Sequence, residues 1–173
     1  MSKVYDDSSI QVLDDRTHIR LRSSMYISAD RPSFQMFDEI FSNALDEVVN
    51  GYSGSLFVDV DYLTGLVRVE DRGRGLPQGR NEELGVSTIE VIYGRLNSGG
   101  KYNRESYAVS GGLNGVGSCV VNALSEFLEV ETWRDGKAVT ARFSRGELEY
   151  INQDVDVDEP GSGTRVTFRN DPD

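Results

Sequence analysis

The sequence predicts an α+β sandwich: a mixed, mostly antiparallel sheet covered on one face by helices. Three observations carry this. Helical periodicity gathers in the first two thirds of the chain and strand-like alternation in the last third. The strand-like runs are joined by short Gly-containing turns, which suits antiparallel hairpins. The length, 173 residues, fits one domain, and a chain of this size buries about 70% of its surface on folding.

Residues 32–50 form the clearest helix. Pro32 suits the first helical turn and Gly51 the stop. Phe37, Ile40, Phe41, Ala44, Leu45 and Val48 share one face at helical spacing. Ser55–Tyr62 and Leu66–Glu70 read as two strands joined at Thr64-Gly65. Ser87–Leu96 reads as a second helix. Asn97–Asn114 is long, Gly-rich and polar, the signature of a functional lid or a disordered segment. Gly117–Ser125 reads as a third, buried helix. Phe127–Arg134, Ala138–Ser144, Glu147–Ile151 and Thr164–Phe168 read as strands, with an acidic loop over Asp154–Gly161.

Composition excludes several functions. Lys and Arg number 18 and Asp and Glu 29, a net charge of −11 at pH 7. Nucleic-acid footprints are basic, so bulk electrostatics argue against this chain gripping DNA. One Cys makes neither an internal disulfide nor a zinc site, and with the polar start Met1-Ser2-Lys3-Val4 a cytoplasmic setting is expected. One His, His18, excludes His-rich metal chemistry. No run approaches the roughly 20 apolar residues of a membrane span.

Three motifs carry chemistry. At about 100° per residue, Glu39, Asn43 and Asp46 share a helix face, with Glu47 flanking it. No Lys or Arg lies between Pro32 and Gly51, so intrahelical ion pairs do not explain that face. It reads either as a solvated surface or as a site for a divalent ion and water, since hard oxygen ligands suit Mg²⁺ and a carboxylate can activate water. Next, a strand leads into Asp71-Arg72-Gly73-Arg74-Gly75-Leu76-Pro77. The glycines permit close backbone approach to a flat ligand, and an Asp at a strand end can accept from an exocyclic amine such as that of adenine. It reads otherwise as a plain surface turn. It is not the dinucleotide-binding fingerprint, because position 78 is Gln. Last, Ser110-Gly111-Gly112-Leu113-Asn114-Gly115-Val116-Gly117-Ser118 runs into a helix, the arrangement of a phosphate site or else a flexible loop tip. It is not a Walker A loop, although Lys101 is a candidate phosphate contact.

Taken together and in order, Glu39-x3-Asn43-x2-Asp46-Glu47, Asp71-x-Gly73-x-Gly75 and Gly111-Gly112-x2-Gly115-x-Gly117 resemble the GHKL nucleotide-binding superfamily, with its Bergerat ATPase sandwich. Further segments resemble the ATPase subunits of bacterial type II topoisomerases, of the DNA gyrase and topoisomerase IV kind. These are Tyr5–Leu13, Arg22-Ser23-Ser24-Met25-Tyr26-Ile27, Gly99-Gly100-Lys101-Tyr102, Val109–Gly117, Val120–Ser125 and Gly163-Thr164-x-Val166-x-Phe168. The resemblance covers nearly the whole chain.

The resemblance implies ATP and Mg²⁺ as ligands and assigns roles residue by residue. Glu39 would be the general base that activates water, and Asn43 the Mg²⁺ ligand. Asp46 and Glu47 would support the phosphate end, with Glu47 able to pair with Arg74. Asp71 would bind the adenine amine, and Thr164 a water shared with it. Gly73, Gly75 and Pro77 would shape the adenine wall. Gly112, Leu113, Asn114, Gly115, Val116 and Gly117 would wrap the triphosphate, with Lys101 nearby. Tyr5 would reach the partner subunit's nucleotide. Arg134, with Asp71 and Thr164, would contact aminocoumarin inhibitors. The chain departs from the family at Gln35, where a His usually orients the base, and an amide can hydrogen-bond Glu39 without sharing positive charge with it. Asn114 replaces a second His, Ala108 a basic residue and Arg72 an acidic one.

The expectation is an N-terminal ATP-binding domain, residues 1–173, cut from a longer chain and lacking the transducer domain that supplies a lysine to the γ-phosphate. Such a piece would bind ATP but turn it over slowly. In the full protein, ATP would close a two-subunit gate during DNA strand passage, with a second copy, a cleavage subunit and DNA as partners. The alternatives are another GHKL ATPase of the mismatch-repair or chaperone type, or a non-catalytic nucleotide-sensing module.

Overall fold

The computed structural model describes residues 12–98, 117–157 and 160–172. Helix α1 spans Asp15–Leu21, α2 Pro32–Val49, α3 Thr88–Gly94 and α4 Gly117–Ala123. A 3-10 turn at Ser23–Met25 follows α1. The strands are β1 Leu56–Asp61, β2 Leu66–Asp71, β3 Ser125–Arg134, β4 Lys137–Ser144, β5 Glu147–Asp156 and β6 Gly163–Asn170. They form one sheet in the order β1-β2-β6-β3-β4-β5. Every ladder among the described residues is antiparallel, so the mixed pairing allowed by the sequence reduces to a uniform one.

Local chemistry sets the element ends. Pro32 stands at the start of α2 and Gly51, at φ 79°, follows its last turn. Ser87 caps α3, its hydroxyl accepting from Ile89 N at 3.3 Å. Asp14 caps α1 by accepting from Thr17 N at 2.9 Å. Sequence periodicity gives no sign of α1, because only Ile19 of its seven residues is fully buried. Strand β5 also runs further than the alternation suggests. It continues to Asp156, through part of the expected acidic loop, because β4 offers a ladder and Lys137 pairs with Asp156 at 2.5 Å.

The two faces of the sheet differ in chemistry. Residues directly opposite each other on antiparallel strands share a face. On the helix-covered side, Val67, Phe168, Leu128 and Phe143 form one row across the sheet, and Val69, Val166, Val130 and Ala141 the next. Ile19, Met36, Ile40, Ile89 and Val121 of the helices close this core. On the other side, Arg165 links Glu70 (2.7 Å) and Glu131 (2.8 Å), Arg72 joins Glu70 at 2.7 Å, and Arg169 clasps Glu126 at 2.7 and 2.8 Å. The Arg72 guanidinium lies 4.9 Å from the Trp133 ring centre and that of Arg142 4.3 Å from Phe127. The charged lattice thus roofs two aromatic rings that point away from the core.

Candidate nucleotide site

One row further along the helix-covered face, the core gives way to polar residues. Asp71 lies opposite Thr164, Thr164 opposite Thr132, and Thr132 opposite Val139. Asp71 is 6% exposed and Thr132 fully buried. The Thr132 hydroxyl donates to Gly163 O at 3.0 Å, accepts from Leu76 N at 2.8 Å, and lies 3.4 Å from Thr164 Oγ1. It therefore pins the turn after β2 onto the sheet. Thr132 is invisible to sequence reasoning, because a Thr inside a strand carries no motif.

The turn folds back on its own carboxylate. Gly73 N donates to Asp71 Oδ1 at 2.8 Å. A Cβ on Gly73 would stand 2.6 Å from Glu47 Oε2 and 2.8 Å from Asp71 Oδ1, so only glycine lets the two carboxylates flank this backbone. Gly75 has a φ of 69°, in the left-handed region that favours glycine. Pro77 is exposed at the far end of the turn. Ser53, a second unmarked residue, accepts from Arg72 N at 3.0 Å and steadies the strand end. Burial pushes the Asp71 carboxyl up to about 7, helped by the negative charges of Glu47 and Glu70 and opposed by the Gly73 N–H. Burial, and then the Asp71 charge, also raise the buried Tyr93 phenol above its ordinary range.

Helix α2 ties three parts of the site together. Glu47 grips the turn: Oε2 accepts from Arg74 N at 3.0 Å and Nε at 3.1 Å, and Oε1 accepts from Nη2 at 2.6 Å. The Arg74 guanidinium also lies 3.7 Å from the Tyr52 ring centre. One turn back, Asn43 Nδ2 donates to Ser118 Oγ of α4 at 3.2 Å. A further turn back, the Glu39 side chain rests against Gly117, where a Cβ would overlap its carboxylate. From Glu39 to Glu47 the helix rises about 12 Å.

The acidic face is not a solvated surface. Asp46 is 4% exposed and Glu47 9%, whereas Leu45 of the expected apolar face is 38% exposed. The buried residues of α2 are Met36, Ile40, Ala44, Asp46 and Glu47, so burial extends from the apolar face onto the polar one. Along the helix Phe37 stacks on Phe41, with ring centres 5.4 Å apart, while Phe34 is exposed. Gln35 does not reach Glu39. Its Oε1 accepts from Ser28 N at 2.8 Å and its Nε2 donates to Tyr26 O at 3.4 Å, so it anchors the loop before α2. His18 pairs with the Tyr26 hydroxyl at 2.7 Å and has no part in the site. Arg134 sits exposed at the end of β3, 3.8 Å from Asp135. Tyr5, Lys101, Gly112, Leu113, Asn114, Gly115 and Val116 lie outside the described residues.

The donor set bears on which metal could bind. Among the described residues no three His, Cys, Asp or Glu side chains are grouped to hold an ion by themselves. Asn43 offers one neutral oxygen between two carboxylate positions. That fits Mg²⁺, which keeps several waters and shares substrate phosphate oxygens instead of requiring an all-protein cage.

Residues 29–173 match the family described as histidine kinase-, DNA gyrase B- and HSP90-like ATPase. The chain belongs to this family. It is 44% identical over 171 residues to the DNA gyrase B protein of Thermus thermophilus, covering 97% of this chain and 27% of that protein. It is 41% identical over 169 residues to the DNA topoisomerase 4 B protein of Staphylococcus epidermidis, covering 96% of this chain and 25% of that one. Its fold matches the crystal structure of the 43K ATPase domain of Thermus thermophilus gyrase B, solved in complex with an aminocoumarin, with a TM-score of 0.75 and 37% identity. That match covers 95% of this chain and 41% of the other. The chain thus spans about a quarter of the length of these gyrase B and topoisomerase 4 relatives. No helix among the described residues is long and apolar enough to cross a membrane.

Proposed function

We propose that this chain is the N-terminal ATP-binding domain of a longer type II topoisomerase subunit, binding ATP with Mg²⁺ and contributing to its hydrolysis. The observation that carries this reading is the buried Asp71 carboxylate, held in register with Thr164 and Thr132 where the core row turns polar. A carboxylate that accepts one backbone N–H at 2.8 Å keeps capacity for an adenine amine. Thr164, half-buried opposite it, would share a water with it.

The other assignments follow from the line of α2. With adenine at Asp71, near the Glu47 end, the phosphates extend about 12 Å towards Glu39 and Gly117. Glu39 orients and deprotonates the attacking water, and Asn43 holds Mg²⁺, which when bound neutralises phosphate charge. The expected support of the phosphate end by Asp46 and Glu47 gives way to a place at the adenine end, where the Glu47–Arg74 pair keeps the turn closed. Lys101 and the Gly112–Gly117 segment contact the triphosphate through side chain and backbone. Gln35 is committed to the loop before α2, so Glu39 works without help from that amide.

The relatives at about 40% identity are topoisomerase subunits, which favours this reading over a mismatch-repair or chaperone ATPase. The proposal extends to the whole protein: a second copy reached by Tyr5, a cleavage subunit, DNA handled by the assembly, and a cytoplasmic setting. Arg134, Asp71 and Thr164 are the proposed aminocoumarin contacts, by analogy with the inhibited structural neighbour. The direct test is calorimetric binding of a non-hydrolysable ATP analogue, with and without Mg²⁺, to this chain and to Asp71→Asn. Mg²⁺-dependent binding that the substitution abolishes supports the reading. Binding that the substitution leaves intact refutes Asp71 as the anchor.

A further inference from the structure

The turn after β2, the expected adenine wall, is held from α2 by Glu47 and from the sheet by residues that carry no motif. It sits close on the neighbouring strands: a Cβ on Gly75 would stand 2.8 Å from Trp133 O and 3.3 Å from Gly163 O. Ser162 Oγ donates to Gly73 O at 2.5 Å, and Gln78 Nε2, just past the turn, donates to Thr132 O and Lys137 O at 3.1 Å each. Between these lies the fully buried Thr132 hydroxyl. The direction of its two short bonds is forced, since Leu76 N–H can only donate (2.8 Å) and Gly163 O can only accept (3.0 Å). Leu76 follows Gly75 of the wall, and Gly163 precedes Thr164, which lies opposite Asp71. One hydroxyl therefore joins the wall of the proposed base site to its floor.

We propose that Thr132 is a positioning residue for the base end of the site, its hydroxyl fixing the spacing between the Gly73–Pro77 wall and the Asp71–Thr164 floor. The inference rests on Asp71 being the adenine anchor. Valine has the shape of threonine without its polar atom, so Val at 132 would leave Leu76 N and Gly163 O without this shared partner. The wall then gives way to positions in which Leu76 N meets another acceptor. Apparent affinity falls with the fraction of molecules whose wall stands in place. The phosphate end lies along α2 towards Glu39 and Gly117, about 12 Å from the Glu47 end, and keeps its share of the binding.

The test is calorimetric titration of adenosine, and of a non-hydrolysable ATP analogue with Mg²⁺, into the unmodified chain, Thr132→Val, Thr132→Ser and Asp71→Asn. Both affinities are expected to fall about fivefold in the Val variant, the equivalent of one neutral hydrogen bond. The advantage of the ATP analogue over adenosine should stay as it is in the unmodified chain. Ser keeps the hydroxyl and should bind both ligands as the unmodified chain does. General loosening would reach the phosphate end as well, and the analogue would lose more than adenosine; that result overturns the inference. So do unchanged affinities in the Val variant, or Ser behaving as Val. If the Val variant does not fold, Thr132→Ala carries the same comparison. If Asp71→Asn leaves adenosine binding intact, the anchor reading fails and this inference with it. If Asp71→Asn abolishes adenosine binding while Thr132→Val does not weaken it, only the role of Thr132 fails.

Discussion

Replacing Asp71 by Asn should stabilise the ligand-free chain, and more so as pH rises. The folded carboxyl titrates at about 7 against an ordinary 3.8, chiefly because it is buried. Between those values the folded state holds a proton that the unfolded state has released, so stability falls as pH rises through the window. A gap of about 3 pH units corresponds to about 4 kcal/mol, an upper figure for a site that relaxes on ionisation. Asn keeps an oxygen for the Gly73 N–H and carries no charge, so it removes the penalty without removing that bond. The assay is urea unfolding of both proteins from about pH 4 to about pH 8.5, followed by fluorescence of Trp133, the chain's single Trp and 1% exposed. The stability difference should be near zero at the acid end and grow with pH in favour of Asn. A flat difference, or one that shrinks with pH, would show that Asp71 ionises normally and that burial here carries no cost.

The same charge should matter for ligand binding, and in the opposite sense. Adenosine affinity should weaken as pH drops below about 7, by at most tenfold per unit, in a competition assay. Arg74→Ala leaves the 9%-exposed Glu47 without its bidentate partner and should cost about 1–3 kcal/mol in chemical unfolding. Lys at position 74 should not restore it, because one ammonium cannot replace the fork. Gly117→Ala should drive Glu39 from its place, lowering turnover while the unfolding midpoint stays near that of the unmodified chain. Glu39→Gln in the full-length protein should keep ATP binding and lower turnover by about 10²–10⁴-fold, measured by phosphate release.

Much of this architecture is legible in the sequence for local reasons. Pro32 and Gly51 bracket α2, Thr64-Gly65 marks the first hairpin, and Gly117 opens a helix whose buried residues include Val120 and Val121. Asp71, Gly73 and Gly75 stand out because close packing of backbone and carboxylate admits few residue types. What escapes is non-local. Thr132 enters the site only because β3 lies two strands from β2 in the sheet, with β6 between them. The acidic face of α2 reads equally as a solvated surface or an ion site until the turn after β2 meets it and Arg74 pairs with Glu47. Gln35 sits one helical turn before Glu39, the right spacing for contact, yet the Ser28 amide claims it.

The rows of the inner sheet face bear on how this chain can change over evolutionary time. Asp71 and Val69 are two residues apart on one strand, as are Thr164 and Val166, and Thr132 and Val130. A slip of one residue would turn the aliphatic row outward and the polar row of Asp71, Thr164 and Thr132 with it. The same pairing that excludes water from the core therefore sets where Asp71, the proposed adenine anchor, stands. Substitutions at Asp71 or Thr164 must therefore leave strand register untouched. The floor of the proposed cleft and the core beside it thus answer to one constraint, the pairing of β2, β6 and β3.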